Sequence, residues 1–238
     1  MKKEYSIQVL FEDNHLIVVN KHPGEIVQGD KTGDETIGDR IKLYIKEKYD
    51  KPGDVFLGTV HRIDRPVSGI VVFARTSKGL ERMNKLFREK DLQKTYWAVV
   101  KNTPPKEADH LISYLWKNEK QNKSYATSVP KAGALLSELD YKILIKSDNY
   151  TLLEVKPITG RHHQIRVQLS GIGCPIKGDL KYGFNRSNEN GSIHLHARAI
   201  TFEHPVTKAE INIVAEPPSD PLWDYFKRIQ NSELRIKN

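Results

Sequence analysis

The amino-acid sequence predicts an α+β fold with a mixed, mainly antiparallel sheet. Most of the chain consists of short segments rich in Val, Ile, Leu, Thr and Tyr. These segments are mostly bounded by Gly, Pro, Asn or Asp, as expected for strands joined by turns. Helical patterns are fewer. Because no repeat, low-complexity block or Gly/Ser linker divides the chain, we expect residues 1–238 to form a single domain.

The predicted strands are spread along the chain. They cover residues 6–11, 15–20, 69–75, 92–101, 134–145, 150–157 and 194–203. In the fourth of these strands, alternation places Tyr96 on one face with Ala98 and Val100. Two interpretations of Tyr96 stay open: a packed core tyrosine with one hydroxyl partner, or a ring that stacks on a nucleobase or transfers a proton.

Helices are predicted where apolar residues recur every three or four positions. The first covers residues 36–48, and a second is capped by Ser77 and carries Leu80, Met83 and Phe87 on one face. A short closing helix is predicted at residues 223–226, after a group of prolines.

Another helix is predicted after Gly160. Ile165, Leu169 and Ile172 recur at helical spacing, and glycines end the run. This pattern predicts one buried stripe, with Arg161, His162 and Gln164 on other faces.

Composition indicates a cytoplasmic protein with a polyanionic partner. Lys and Arg total 38 against 30 acidic residues, and the net charge of +8 suits nucleic acid, although the charges are spread along the chain. Cys174 is the single cysteine, which excludes an intrachain disulfide and fits a reducing compartment. The early apolar run at residues 16–19 is too short for a signal peptide or a membrane span, so we expect no membrane association.

Residues 61–69 form the most informative motif in the chain. Asp64 lies between Arg62 and Arg65, and Pro66 and Gly69 exclude a helix here. A cationic flank favours the ionised form of Asp64, so the segment predicts a charged, available carboxylate on a loop before a strand. An ordinary ion pair in a surface turn is the alternative.

Residues 160–166 are dense in hydrogen-bond donors and open the predicted third helix. Helix N-terminal amides favour a phosphate or a carboxylate. Arg166 is a suitable bidentate partner for a buried Asp64. A solvated helix start is the competing interpretation.

The chain has 9 histidines, so a metal site needs consideration. His162 and His163 are adjacent, and His194 and His196 would share one strand face, but no third ligand stands at a recognisable spacing. We therefore expect no metal and full activity in excess chelator. No P-loop, nucleophile elbow or dinucleotide fingerprint is present in the sequence.

Several motifs in a shared order resemble the RluA-type RNA pseudouridine synthases. They are HRIDRPVSG at 61–69, FEDNHLIVVNK at 11–21, KTY at 94–96, GRHHQIRVQL at 160–169, GDLKYG at 178–183, HLHAR at 194–198 and FEHP at 202–205. The resemblance covers roughly residues 7–218. It departs from the family pattern at His22, which separates Lys21 from Pro23, and at His162, where a threonine is more usual.

The resemblance implies a cofactor-independent isomerase that converts uridine in RNA to pseudouridine, with a catalytic cleft between two lobes. Matched residue by residue, Asp64 is the nucleophile, Tyr96 the active-site tyrosine and Arg166 the partner of the aspartate. Arg62 matches the arginine that fills the gap left by the flipped uridine. The other substrate-binding candidates are His61, Arg65, Arg161, His162 and Gln164.

The expected partner is a stem-loop of ribosomal or transfer RNA, bound by a monomer. Many relatives carry an N-terminal S4 RNA-binding module, whereas here the catalytic pattern begins almost at once, so we expect a single catalytic domain without that module. Residues 114–123, basic and flanked by aromatic residues, form a hypothetical RNA-contacting arm or an ordinary solvated hairpin. The rival functions are an inactive RNA-binding protein or chaperone and a metal-dependent nuclease or hydrolase.

Overall fold

A computed structural model describes residues 7–29 and 33–236. In chain order the elements are β1 Gln8–Glu12, β2 Leu16–Lys21, α1 Ile37–Lys48, β3 Gly58–Thr59, β4 Ser68–Ala74, α2 Ser77–Glu89, β5 Leu92–Val100, β6 Ala108–Asn118, β7 Lys123–Thr127, β8 Leu135–Lys146, β9 Thr151–Pro157, α3 Gln164–Gly171, a 3₁₀ turn at Leu180–Tyr182, β10 Leu195–Glu203, β11 Glu210–Val214 and α4 Pro221–Ile236. The predicted α+β class with a mainly antiparallel sheet is confirmed.

The chain divides into two compact units. The first unit contains the residues up to Lys94 together with Ala197–Glu216, and the second contains Thr95–His196 and the residues from Pro217 onward. In the part of the chain that the structure describes, no helix is long and apolar enough to cross a membrane.

The first unit is built around two buried strands. β2 and β4 pair antiparallel from Leu16 opposite Ala74 to Lys21 opposite Gly69, and every residue of both strands is buried. Such uninterrupted burial fits strands covered on both faces rather than on one. Strand β1 pairs with β2, and β11 pairs with β10.

The helices of the first unit begin at threonine caps. The Thr36 hydroxyl oxygen accepts from the Asp39 amide, and the Asp39 carboxylate accepts from the Thr36 amide, which completes a capping box at α1. In α2 the predicted cap was wrong by one residue. Thr76, with extended φ and ψ of −137° and 150°, accepts from Gly79 N at 3.0 Å, and Ser77 is already helical.

The second unit is an antiparallel sheet in the order β5-β9-β8-β6-β7. Its core contains the cluster Trp97, Val99, Ile145, Leu152, Trp223 and Phe226. The last two side chains come from α4, which runs over 16 residues and is therefore much longer than the short closing helix predicted. Strands β3, β6, β7 and β11 were not predicted. Strand β3 has only two residues, and the polar residues that alternate in the other three weaken the apolar signal.

Helix α3 begins and ends close to its predicted positions, but the prediction of a single buried stripe was wrong. Six consecutive residues, Gln164 to Leu169, are buried. The three polar members of this run make hydrogen bonds inside the protein, which offsets the cost of removing their side chains from water.

Candidate active site

Asp64 lies in the loop between β3 and β4, half-buried, with its backbone carbonyl accepting from Val67 N at 3.0 Å. The loop enters β4 through Gly69, which has a φ of +114°. A Cβ at Gly69 would lie 2.4 Å from the Ala197 carbonyl oxygen, so only glycine fits there. The close contact between Gly69 and Ala197 thus fixes the position at which the loop that contains Asp64 enters β4.

Lys21 has a buried amine beside this loop, and its burial was not predicted from the sequence. Its side chain is 1% exposed, and Nζ donates to the carbonyls of His22 and Glu25 at 2.9 Å each and of Arg65 at 3.2 Å. Burial lowers the pKa of Lys21 to about 7, against the opposing effect of the Glu25 and Asp64 charges. The available signal was a lysine at the end of a strand that begins with four apolar residues.

Arg62 and Arg65, which flank Asp64, are exposed. Arg65 pairs with Asp34 at 2.9 Å between Nη2 and Oδ2, and Arg62 Nη1 lies 3.4 Å from Gln28 Oε1. Exposed pairs of this kind are weak and exchange readily for a phosphate. Both arginines therefore stay available as predicted substrate-binding groups.

The side chain of His61 makes its contacts inside the first unit. Its Nε2 accepts from Val72 N of β4 at 3.1 Å, and its ring stacks on Phe87 with centroids 4.8 Å apart. Burial, with a smaller effect of Lys94, lowers the pKa of His61 to about 3, so the ring is neutral at physiological pH. The role of His61 in substrate binding stays a prediction, which these contacts do not support.

In the second unit, Arg166 of α3 forms a buried bidentate pair with Asp179. The distances are 2.7 Å from Nε to Oδ2 and 2.9 Å from Nη2 to Oδ1. The guanidinium carbon also lies 5.1 Å from the centre of the Tyr182 ring. Asp179 belongs to the sequence GDLKYG and was not assigned a role. Pairing of Arg166 with Asp64 stays a prediction, since the two residues belong to different units.

A network of hydrogen bonds joins the start of α3 to strand β7. The buried Ser124 Oγ donates to the His162 carbonyl at 2.7 Å and lies 2.8 Å from His162 Nδ1. Tyr182 OH accepts from Ser124 N and bonds to His163 Nδ1, both at 2.8 Å. The turn end of the β6–β7 hairpin, which contains the predicted arm, is therefore held to the helix that carries Arg166.

His163 occupies an unusual position in this network. It adopts a left-handed φ of +56° immediately before α3, and its ring stacks on His162 with centroids 3.7 Å apart. Burial, and then the Arg166 charge, lowers the pKa of His163 to about 2. The ring therefore stays neutral and available for its bond to Tyr182.

Both polar atoms of the Gln164 side-chain amide form hydrogen bonds within the protein. Oε1 accepts from Thr159 Oγ1 at 2.7 Å and from Arg161 N at 3.0 Å, while Nε2 donates to the Glu138 carbonyl at 3.0 Å. Arg161 is exposed. Of these two predicted substrate-binding residues, the exposed guanidinium of Arg161 is the better placed to meet RNA.

Tyr96 is half-buried in β5 opposite Val155 of β9. From Trp97 to Val100 the same strand is fully buried, so Tyr96 is the last partly exposed residue before β5 enters the core. Both interpretations, core packing and a role at the substrate, remain compatible with this position. Its function at the active site stays a prediction.

The paired histidines considered as metal ligands have contacts of their own. His194 stacks on Trp223 with centroids 5.2 Å apart, and its Nε2 lies 3.1 Å from Asp220 Oδ2. His196 packs edge-on against Trp223. Within residues 7–29 and 33–236, no group of three or more His, Cys, Asp or Glu side chains is arranged to hold a metal ion.

Comparison with known proteins agrees with these motifs. A sequence model described as RNA pseudouridylate synthase matches residues 15–171. The chain belongs to the RNA pseudouridylate synthase family. It is 35% identical over 240 residues to the ribosomal large subunit pseudouridine synthase C of Buchnera aphidicola subsp. Schizaphis graminum, with 97% of this chain and 72% of the relative aligned.

Two further relatives extend the comparison. The Vibrio vulnificus protein of the same name is 35% identical, with 94% of this chain and 68% of that protein aligned. The solved structure of human RNA Pseudouridylate Synthase Domain Containing 4 matches with a TM-score of 0.76 and 25% identity, over 94% of this chain and 93% of that one. As a pseudouridine synthase, the protein is an isomerase that acts on uridine in RNA.

Proposed function

We propose that this pseudouridine synthase modifies specific uridines of structured RNA, with Asp64 as the catalytic nucleophile. The observation that carries the proposal is the setting of Asp64: a half-buried carboxylate at the entrance to a fully buried strand, flanked by two arginines and close to the buried ammonium of Lys21. Tyr96 and Arg166 are the proposed partners of Asp64 in catalysis.

The reaction needs no oxidant, reductant or cofactor. The bond from C1′ to N1 breaks, a bond from C1′ to C5 forms, the C5 hydrogen leaves as a proton, and N1 gains a proton. An ionised Asp64 could attack the sugar or the base, or assist cleavage of the glycosidic bond as a base. Because the target base is hidden in stacked RNA, the enzyme must first extrude the nucleotide, and the exposed Arg62 is proposed to occupy the gap.

Ribosomal RNA is the proposed substrate. The two bacterial relatives described above are named for the large ribosomal subunit, which favours ribosomal over transfer RNA for this chain. Mapping of pseudouridines in total RNA from cells with and without the gene distinguishes the two. Sites that disappear only from transfer RNA would contradict the ribosomal assignment.

The Asp64→Asn variant tests the nucleophile. Asparagine keeps the shape of the side chain and removes its charge, so we expect folding and RNA affinity equal to or somewhat above the parent. Release of tritium from RNA labelled at uridine C5 should fall by at least about a thousandfold, because that release requires the base to rejoin through C5.

Asp54→Asn provides a matched control, since Asp54 is an exposed residue of the same unit. This variant should release tritium at the parental rate. If Asp64→Asn also released tritium near the parental rate, Asp64 would not be the nucleophile. A parent protein that bound RNA without releasing tritium would instead support the inactive RNA-binding alternative.

A further inference from the structure

One face of the β6–β7 hairpin carries a row of aromatic rings and lysines. Trp116 and Tyr125 are direct partners across the two strands, and their rings stack with centroids 5.6 Å apart at 22°. Lys131 Nζ lies 4.2 Å from the centre of the Trp116 ring, and Lys123 Nζ lies 5.5 Å from that of Tyr125. We call these four side chains, Lys131, Trp116, Tyr125 and Lys123, the aromatic ladder.

The aromatic ladder belongs to a sheet face that meets solvent. Side chains two residues apart on a strand share a face, so Ile112 and Tyr114 lie on the same face as Trp116. Ile112 is 56% exposed, and Leu136, the cross-strand partner of Tyr114, is 41% exposed. Helix α3 covers the opposite face, where Leu115 packs with Val167 and Tyr182.

The ammonium groups of the two lysines in the aromatic ladder lie near aromatic rings and not beside carboxylates. Among the residues that the structure describes, neither Lys123 nor Lys131 has a carboxylate oxygen within 4 Å, whereas the neighbouring Lys117 pairs with Glu119 at 2.6 Å. An ammonium over a ring keeps its remaining donors free for another acceptor. The Tyr125 hydroxyl is fixed by donation to Gln121 Oε1.

We propose that the aromatic ladder binds single-stranded RNA, with a nucleobase stacking on the Trp116–Tyr125 pair and the flanking phosphates on Lys123 and Lys131. The inference rests on the proposed function and adds a binding surface to it. Aromatic faces accept any base, and lysines beside them track the phosphate backbone, so the surface binds without reading sequence. The exposed Lys131 side chain moves from the ring to a phosphate when the base arrives.

The hairpin is also connected to the candidate site. Ser124, next to Lys123, bonds to His162 and to Tyr182, and the Tyr182 ring lies against the Arg166 guanidinium. Lys123 Nζ itself lies 5.3 Å from the centre of the Tyr182 ring. RNA held on the aromatic ladder would therefore be held next to the residues that support Arg166, as expected for a surface that positions the substrate.

Tryptophan fluorescence tests the aromatic ladder directly. Trp97 and Trp223 are only 4% and 2% exposed, so half-buried Trp116 is the tryptophan that RNA can reach. The probe is oligoadenylate of about ten nucleotides, enough for one stacking platform. It contains no uridine and cannot be a substrate. We expect it to quench the emission of the full-length protein, and we expect Trp116→Phe, which still stacks, to bind but show no quenching.

Two further variants measure the energetic role of each part. Trp116→Ala should weaken binding of oligoadenylate at least about fivefold. Replacing both Lys123 and Lys131 with alanine should reduce the slope of log affinity against log salt by about 1.4, since each single-strand phosphate contact contributes about 0.7. Lys142→Ala removes one exposed charge of β8 as a control and should leave quenching unchanged.

An absence of quenching, or an unchanged salt slope in the double-lysine variant, would overturn the aromatic ladder as an RNA site. The proposed function is tested separately, by tritium release from uridine-containing RNA. If the parent protein released tritium but oligoadenylate did not quench its Trp116 emission, the proposed function would be supported and the aromatic ladder would not be an RNA-binding surface.

Discussion

At the scale of single residues, buried ionisable groups were the hardest features to predict. The sequence motif identified Asp64 as a candidate because its arginine flank and the proline after it are local. Lys21 was not predicted to be buried, since one of the three carbonyls that accept from its Nζ belongs to Arg65, which is distant in sequence. Pairing of Arg166 with Asp64 stays a prediction, whereas its buried pair with Asp179, thirteen residues later in sequence, was not considered.

The half-buried, neutral His61 predicts sensitivity to acid. Its pKa is about 3 in the folded protein and near 6.5 in the unfolded chain, so the unfolded state binds more protons between these values. Stability is therefore lost as the pH falls from about 6.5 towards 3, by up to about 1.4 kcal/mol per pH unit from this group.

His61→Gln keeps an acceptor for Val72 N but cannot be protonated. Urea unfolding between pH 7 and 4 should show a shallower loss of stability for this variant than for the parent. His22→Gln, at an exposed histidine of the same unit, should follow the parental curve. Equal slopes for His61→Gln and the parent would show that His61 is not the titrating group.

At the scale of elements, strands with continuous apolar runs and helices with clear caps were predicted well. Strands β2, β4 and β9 fall within two residues of their predicted positions, because their burial leaves a strong signal. The β6–β7 hairpin was identified only as a possible arm, since it mixes lysines with aromatic residues. Its turn end is fixed by Ser124, a residue whose contacts depend on the distant positions His162 and Tyr182.

The link between α3 and the 3₁₀ turn is the buried pair of Arg166 with Asp179. Both side chains are almost fully buried, at 6% and 1% exposure, so removing the Asp179 charge breaks an ion pair that is shielded from water. Asp179→Asn should therefore reduce the free energy of unfolding by about 3–5 kcal/mol in urea titrations.

Glu154→Gln breaks the pair with Lys156, which is 3.3 Å long and much more exposed, and serves as the comparison. Its expected cost is about 0–1 kcal/mol. Should Asp179→Asn be as stable as Glu154→Gln, the buried pair would not hold the turn to the helix.

At the scale of the whole molecule, the fold class and family were predictable, because ordered motifs occur throughout the chain. The resemblance implied two lobes, but the positions at which the chain passes from one unit to the other were not predicted, since no linker marks them in the sequence. Two of the boundaries between units, after Lys94 and after His196, fall within strands β5 and β10 rather than in loops. A strand shared in this way predicts that the units unfold together rather than one after the other.

Each unit contains a strongly nucleophilic side chain, an amine or a thiol, that a small reagent cannot reach in the folded state. Lys21 in the first unit and Cys174 in the second are both 1% exposed, and Cys174 is the single thiol of the chain. The rates at which the amine is acylated and the thiol is alkylated, measured at each residue by mass spectrometry, therefore report how readily each unit opens. We expect both modification rates to rise over the same range of urea concentration. A rise in one rate at a clearly lower urea concentration than the other would show that the units open independently.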